Sequence, residues 1–78
     1  MTNFVKLNYM KNLKFAQRLN LVLKSAKISQ KELAKQLNIS EGNISNWKKG
    51  LNLPSVEILF NLCTLLDESA DYLLGLED

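Results

Sequence analysis

Histidine is absent from this 78-residue chain, and cysteine and proline occur once each. With no histidine and a lone Cys63, a zinc site is implausible and an internal disulfide is impossible. Cys63 also lacks the imidazole base that would activate it as a nucleophile. No glycine-rich phosphate loop and no cluster of metal-ligating residues is present either. No apolar run approaches the ~18 residues needed to span a bilayer. Nothing resembles a cleavable signal. These gaps lead to the expectation of a cytoplasmic protein that is not an enzyme and takes no cofactor or metal.

Charge is missing by region rather than by sign. All ten lysines and arginines lie within residues 1–49, where Glu32 and Glu41 are the only acids. Residues 50–78 hold the remaining acids and no base at all. The formal net charge of +2 therefore hides a basic half and an acidic half. Such a division points to two different faces or partners. The basic half should attract a polyanion, and the acidic half should point away from it.

What the chain does contain is enough for one small folded domain. Its hydrophobic content of 46% argues against disorder. A domain of this size buries only about 60% of its unfolded surface, so an idealised helical bundle or a dimer is expected to supply the missing stability. The expected division is an N-terminal extension at 1–11, a folded unit at 12–76 and a short acidic end at 77–78.

The organising stretch is 29–50, SQKELAKQLNISEGNISNWKKG. Ser29 followed by Glu32 forms a capping box at the start of a helix. Leu33, Ala34 and Leu37 then make one apolar stripe. Asn38 tolerates a left-handed backbone and can turn the chain at once. Ile39 plugs the turn, and Ser40 is a second N-cap. Ile44 and Trp47, three apart, belong to the inner face of the second helix, so Trp47 reads as core rather than as a stacking platform. Gly50 stops that helix, with Lys48 and Lys49 favourably placed in its last turn.

The outer face of the second helix carries Glu41, Gly42, Asn43, Ser45, Asn46, Lys48 and Lys49. An ordinary surface helix would use longer, stronger helix formers. Short polar side chains ending in cations suit base edges and phosphates instead.

These residues resemble the helix-turn-helix of the Cro and phage-repressor family of DNA-binding proteins. The resemblance is carried by Gln30 opening the first helix, Ala34 at the close helix contact, Asn38 where the family usually has Gly, Ile44, and the closing WKKG. It continues through LNLPSVEILFNLCTLLD, which is similar to the family's fourth helix, and covers roughly residues 12 to 74. The resemblance implies an all-α, lambda-repressor-like bundle of about five short helices that binds palindromic duplex DNA as a homodimer. Glu41, Gly42, Ser45 and Asn46 align with positions that touch base edges. Gln30 and Arg18 match positions that grip the DNA backbone, and Asn43, Lys48, Lys49 and Asn52 read as further phosphate contacts. Two departures stand out. The loop 51–54 contains two leucines where the family is polar or basic. Lys48 and Leu23 stand where the family often pairs an acid with a base, so that internal ion pair should be missing.

Elsewhere the chain is mostly apolar helix. In residues 1–11, Val5, Leu7 and Tyr9 alternate as in a strand, while Phe4, Leu7 and Met10 suit a helical stripe; the window is too short to decide. Helix 1 is expected from Asn12 to Ala26, with Leu13, Phe15, Ala16, Leu19, Val22 and Leu23 as its core face. Leu51 and Leu53 are expected to cover the core or to join a subunit contact. Ser55 should cap helix 4, with Val56, Leu59, Leu62, Cys63 and Leu66 facing inward. Ile58, Phe60 and Leu65 make that helix apolar nearly all round, which predicts a dimer through Ile58, Phe60, Leu65, Tyr72 and Leu74. Asp67 turns the chain, Ser69 caps a last helix, and Gly75 ends it. The functional expectation is a transcriptional regulator, most simply a repressor. The alternative on the same fold is an antitoxin that binds a protein toxin through the acidic half and represses its own operon.

Overall fold

Serine marks almost every helix start in this chain, and the computed structural model shows why. It describes the backbone of residues 2–77 and the side chains of residues 12–77. The elements are α1 (Thr2–Ala26), α2 (Gln30–Leu37), α3 (Glu41–Lys48), α4 (Val56–Leu66) and α5 (Ala70–Leu73). Ser29, Ser55 and Ser69 have extended backbones, and their hydroxyls accept from the N–H groups of Glu32, Ile58 and Tyr72. Each bond satisfies one of the orphan donors of a helix N-terminus. The second half of the expected capping box does not form: the Glu32 carboxylate instead accepts from Gln36 Nε2 at 3.2 Å, one turn along. Ser40 occupies its expected N-cap position, but its hydroxyl makes no cap bond. It accepts from Asn43 Nδ2 at 3.1 Å.

Left-handed residues end the helices. Lys27 closes α1, Asn38 closes α2 and Asp67 closes α4, all with φ between 51° and 58°. Gly50, at φ 77°, turns the chain after α3. Its neighbourhood is tight, since a Cβ there would lie 3.3 Å from Leu13 Cδ2.

α1 differs from the expectation that it begins at Asn12. The helix starts at Thr2 and runs unbroken to Ala26. Residues 2–26 contain neither proline nor glycine, so no strong breaker interrupts the helix. Of the two readings of the extension the backbone follows the helical one; the side chains of the stripe Phe4, Leu7 and Met10 lie outside the described residues.

The core forms where α1 meets the four shorter helices. Phe15, Leu19, Leu33, Ile44, Leu62 and Leu73 are wholly buried, one or two from every helix. Phe15 packs edge-on against Trp47, ring centres 6.4 Å apart. Trp47 is therefore core, as its spacing suggests. Leu53 and Cys63 are half-buried against the same cluster, whereas Leu51 is exposed. Burial, and secondarily the nearby Glu68 carboxylate, pushes the Cys63 thiol above its usual range, which disfavours the reactive thiolate. Val56 corrects an expectation: it is 85% exposed rather than core. It is the first residue of α4, and the residues packed against the core begin after it, with Ile58 and Leu59. Among the described residues no helix is long and apolar enough to cross a membrane.

Ile44→Ala should lower unfolding stability by about 2–5 kcal/mol, as large-to-small core changes do. Urea titration followed by Trp47 fluorescence measures this. Gly50→Ala should cost about 1–2 kcal/mol from the left-handed backbone alone.

Candidate nucleic-acid interface

α3 is held from beneath and open above. Ile44 and Trp47 anchor it in the core. Glu41, Gly42, Asn43 and Lys49 are exposed, and Ser45, Asn46 and Lys48 are half-buried. The four residues expected to read bases and two of the expected phosphate contacts, Asn43 and Lys48, thus lie together on one short helix, with Lys49 as its C-cap. Asn52 is exposed just beyond its C-terminal turn. The helix carries Glu41 in its first turn and Lys48 in its last, which complements its dipole.

Gln30 ties the start of α2 to this helix. Its Nε2 donates to the Glu41 carbonyl at 3.2 Å and to Ser45 Oγ at 3.3 Å. Its Oε1 accepts from Lys48 Nζ at 3.3 Å. Both hydrogens of the amide are then engaged. As placed, the side chain braces α3 from the start of α2. The backbone N–H at the start of α2 stays suited to an anion. Lys48 also departs from expectation in its company. The missing family ion pair is replaced by a bond from the ammonium to an uncharged amide on α2.

Arg18 is not brought to this surface. Its guanidinium lies 4.4 Å from the centre of the Tyr72 ring and donates to the carbonyls of Tyr72 and Glu77 at 3.3 and 2.9 Å. Cation–π contact and two charge-assisted bonds tie α1 to the C-terminal turn. Arg18 is half-buried there.

Asn20 is a residue that sequence reasoning missed. Its Nδ2 donates to the Ala16 carbonyl at 2.8 Å and to the Lys48 carbonyl at 3.3 Å. It thereby ties the last turn of α3 to α1, satisfying a carbonyl that a helix end leaves without a partner. The available signal was a weak helix former in mid-helix.

Of the five expected subunit contacts, Phe60 and Leu65 are exposed. Ile58, Tyr72 and Leu74 are half-buried and packed against the chain's own core. Leu53, Pro54, Val56, Leu59, Leu74 and Leu76 line a nearby apolar groove of about 420 Å³.

The sequence profile of a family described as helix-turn-helix matches residues 14–73. The chain belongs to that helix-turn-helix family. The resemblance to Cro and phage repressors read from Gln30, Ala34, Ile44 and the closing WKKG is borne out. Among its relatives is the HTH-type transcriptional regulator ImmR of Bacillus subtilis, 37% identical over 62 residues, which are 80% of this chain and 49% of ImmR. The HTH-type transcriptional regulator DicA of Escherichia coli is 38% identical over 69 residues, covering 87% of this chain and 51% of DicA. An uncharacterised HTH-type transcriptional regulator of Bacillus subtilis, YobD, is 31% identical over 64 residues, 82% of this chain and 57% of its own length. The chain spans about half the length of these relatives. No solved structure matches it significantly.

Arg18→Ala should loosen the C-terminal turn of this helix-turn-helix domain. The expected loss is about 1–2 kcal/mol, from the cation–π contact and the charge-assisted bonds together, discounted for exposure. Amide exchange should quicken at residues 70–77 more than in α2 or α3.

Proposed function

We propose that this chain binds duplex DNA in a sequence-specific way through α3 and regulates transcription by occupying a promoter. The observation that carries this reading is the arrangement of α3 itself. A helix of short polar side chains is anchored by Ile44 and Trp47 and leaves its outer face open, in a chain of the helix-turn-helix family. Helices of this class lie in the major groove, which is about 12 Å wide and admits one helix. The relatives, named as transcriptional regulators in two bacteria, support the same role.

Within this reading the side chains divide by chemistry. Asn46 presents an amide able to pair bidentately with adenine, and Glu41 an acceptor suited to cytosine N4. Gly42 offers only backbone, or room for a thymine methyl. Asn43, Lys48, Lys49 and Asn52 neutralise or hydrogen-bond phosphates, which sets affinity rather than sequence. Arg18 and the side chain of Gln30 have no part in direct contact, for they are engaged within the fold.

Two copies would address half-sites about 34 Å apart, one helical turn. Support for pairing comes from α4, where Phe60 is 72% exposed and Leu65 and Val56 are exposed beside it. A domain this small gains stability by covering such side chains. The acidic residues of the same half keep this surface turned from the polyanion.

Selection of bound sequences from a random duplex pool tests the proposal, and a pool that yields no preferred sequence would overturn it. On the selected duplex Asn46→Ala should cost about tenfold or more in affinity while random DNA is bound nearly as before. Lys49→Ala should weaken both alike and reduce the salt slope by about one. Phe60→Glu should shift the sedimenting species towards monomer. A dimer untouched by that change would place the subunit contact elsewhere.

A further inference from the structure

Where the family often pairs an acid with a base between α3 and α1, this chain has a cationic notch. Lys48 and Leu23 stand at the two positions, and both line a cavity of about 400 Å³ between the end of α1, the start of α2 and the last turn of α3. Asn20, Lys24, Ile28 and Gln30 line it with them. Among these described residues two side chains carry an ammonium group and none carries a carboxylate. An acid facing a base would satisfy itself; a lysine facing a leucine does not.

Lys48 is fastened in this notch at both of its ends. Its carbonyl, of the kind a helix end leaves without a backbone partner, accepts from Asn20 Nδ2 on α1 at 3.3 Å. Its Nζ donates to Gln30 Oε1 on α2 at 3.3 Å. That partner is neutral, so the charge is placed but not compensated, and two of the three ammonium hydrogens are left over. Among the described residues no carboxylate pairs with Lys48 or with Lys24.

We propose that the notch is an oxyanion site, and that it takes one phosphodiester group of a DNA strand between the ammonium groups of Lys24 and Lys48. This rests on the reading of α3 as the groove-entering helix. An α-helix is about 10–12 Å across and the major groove about 12 Å wide, so the strands that border the groove run along both flanks of α3. The notch is one of those flanks, since Lys48 belongs to the last turn of α3. Lys24 reaches it from α1, and it is a phosphate contact additional to those on α3. Leu23 and Ile28 supply apolar walls, beside which the attraction is screened less than in open water. A free lysine gives up its rotamer freedom on binding, whereas Lys48 has been placed in advance by the fold. Gln30 is a positioning residue, for it acts on the phosphate through Lys48.

The test is the salt dependence of binding to the duplex selected by the wild-type chain, followed by fluorescence anisotropy. Each neutralised phosphate contributes about 0.9 to the slope of log affinity against log salt, and two lysines on one phosphate count once. Lys24→Ala and Lys48→Ala should each cost about threefold to tenfold in affinity, and the double variant should lower the slope by about one rather than two. Lys14→Ala is the control: its side chain lies against Gly75, away from the notch, and its loss should change affinity by less than about twofold. Gln30→Met should weaken binding severalfold in the wild type and by less in the Lys48→Ala background, where no ammonium remains to be placed. An equal loss in both backgrounds would overturn the positioning role. A slope lowered by about two in the double variant puts the lysines on separate phosphates and overturns the shared site. So does a Lys24→Ala variant that binds like Lys14→Ala, and in either case the DNA-binding proposal stands. Inorganic phosphate, titrated without DNA and followed at the Lys24 and Lys48 amide resonances, separates the two sources of the anion. Saturation by phosphate with no response to the duplex would make the ligand a free anion and overturn the strand assignment. If the chain binds no duplex at all, the DNA-binding proposal itself falls.

Discussion

Everything on the outer surface of α3 depends on the burial of Ile44 and Trp47 beneath it. Eight residues make barely two turns, too few to persist alone in water. The helix exists because its inner face is inserted between α1 and α2, with the Trp47 ring set edge-on against Phe15. That insertion frees the other positions from having to favour helix. Gly42, Asn43, Ser45 and Asn46 are all weak helix formers, and they are tolerated because tertiary packing rather than propensity holds the backbone.

Polar ties supplement the apolar anchor at three points. Asn20 holds the last turn from α1, Gln30 holds the first turn and Lys48 from α2, and Asn38 sets the angle between α2 and α3 by its left-handed backbone. The two helices of the motif therefore behave as one rigid body with two fastenings. α4 and α5 close the core with Leu62 and Leu73, and Arg18 on α1 is drawn to their end by Tyr72.

Much of this was legible in the residues alone. Ser29, Asn38, Gly50, Ser55, Asp67 and Ser69 each announce a boundary through local chemistry, and the structure puts a helix end at each. The core stripes of α1 to α3 follow from spacing. What could not be read is equally specific. Nothing local distinguishes an N-terminal extension from ten more residues of α1, because a helix without a stop signal has no reason to begin at Asn12. Val56 belongs to the inward stripe by spacing, yet the first residue of a helix has no turn beneath it to carry it inward. Arg18 and Gln30 match the family by position, but their partners, Tyr72 and Lys48, are 54 and 18 residues away. Periodicity says nothing about which long side chain meets which carbonyl.

The junctions between helices carry one more consequence. Three of the four are closed by a residue with a side chain in the backbone region that suits glycine: Lys27, Asn38 and Asp67. Asparagine and aspartate ease that conformation by local hydrogen bonding, whereas lysine has no such device, and the left-handed penalty is about 1–2 kcal/mol. The hinge between α1 and α2 therefore holds conformational tension that its topology does not demand. A glycine at position 27 would relax it, even after the greater freedom glycine gives the unfolded chain, and the fold sits below the ceiling its own architecture allows.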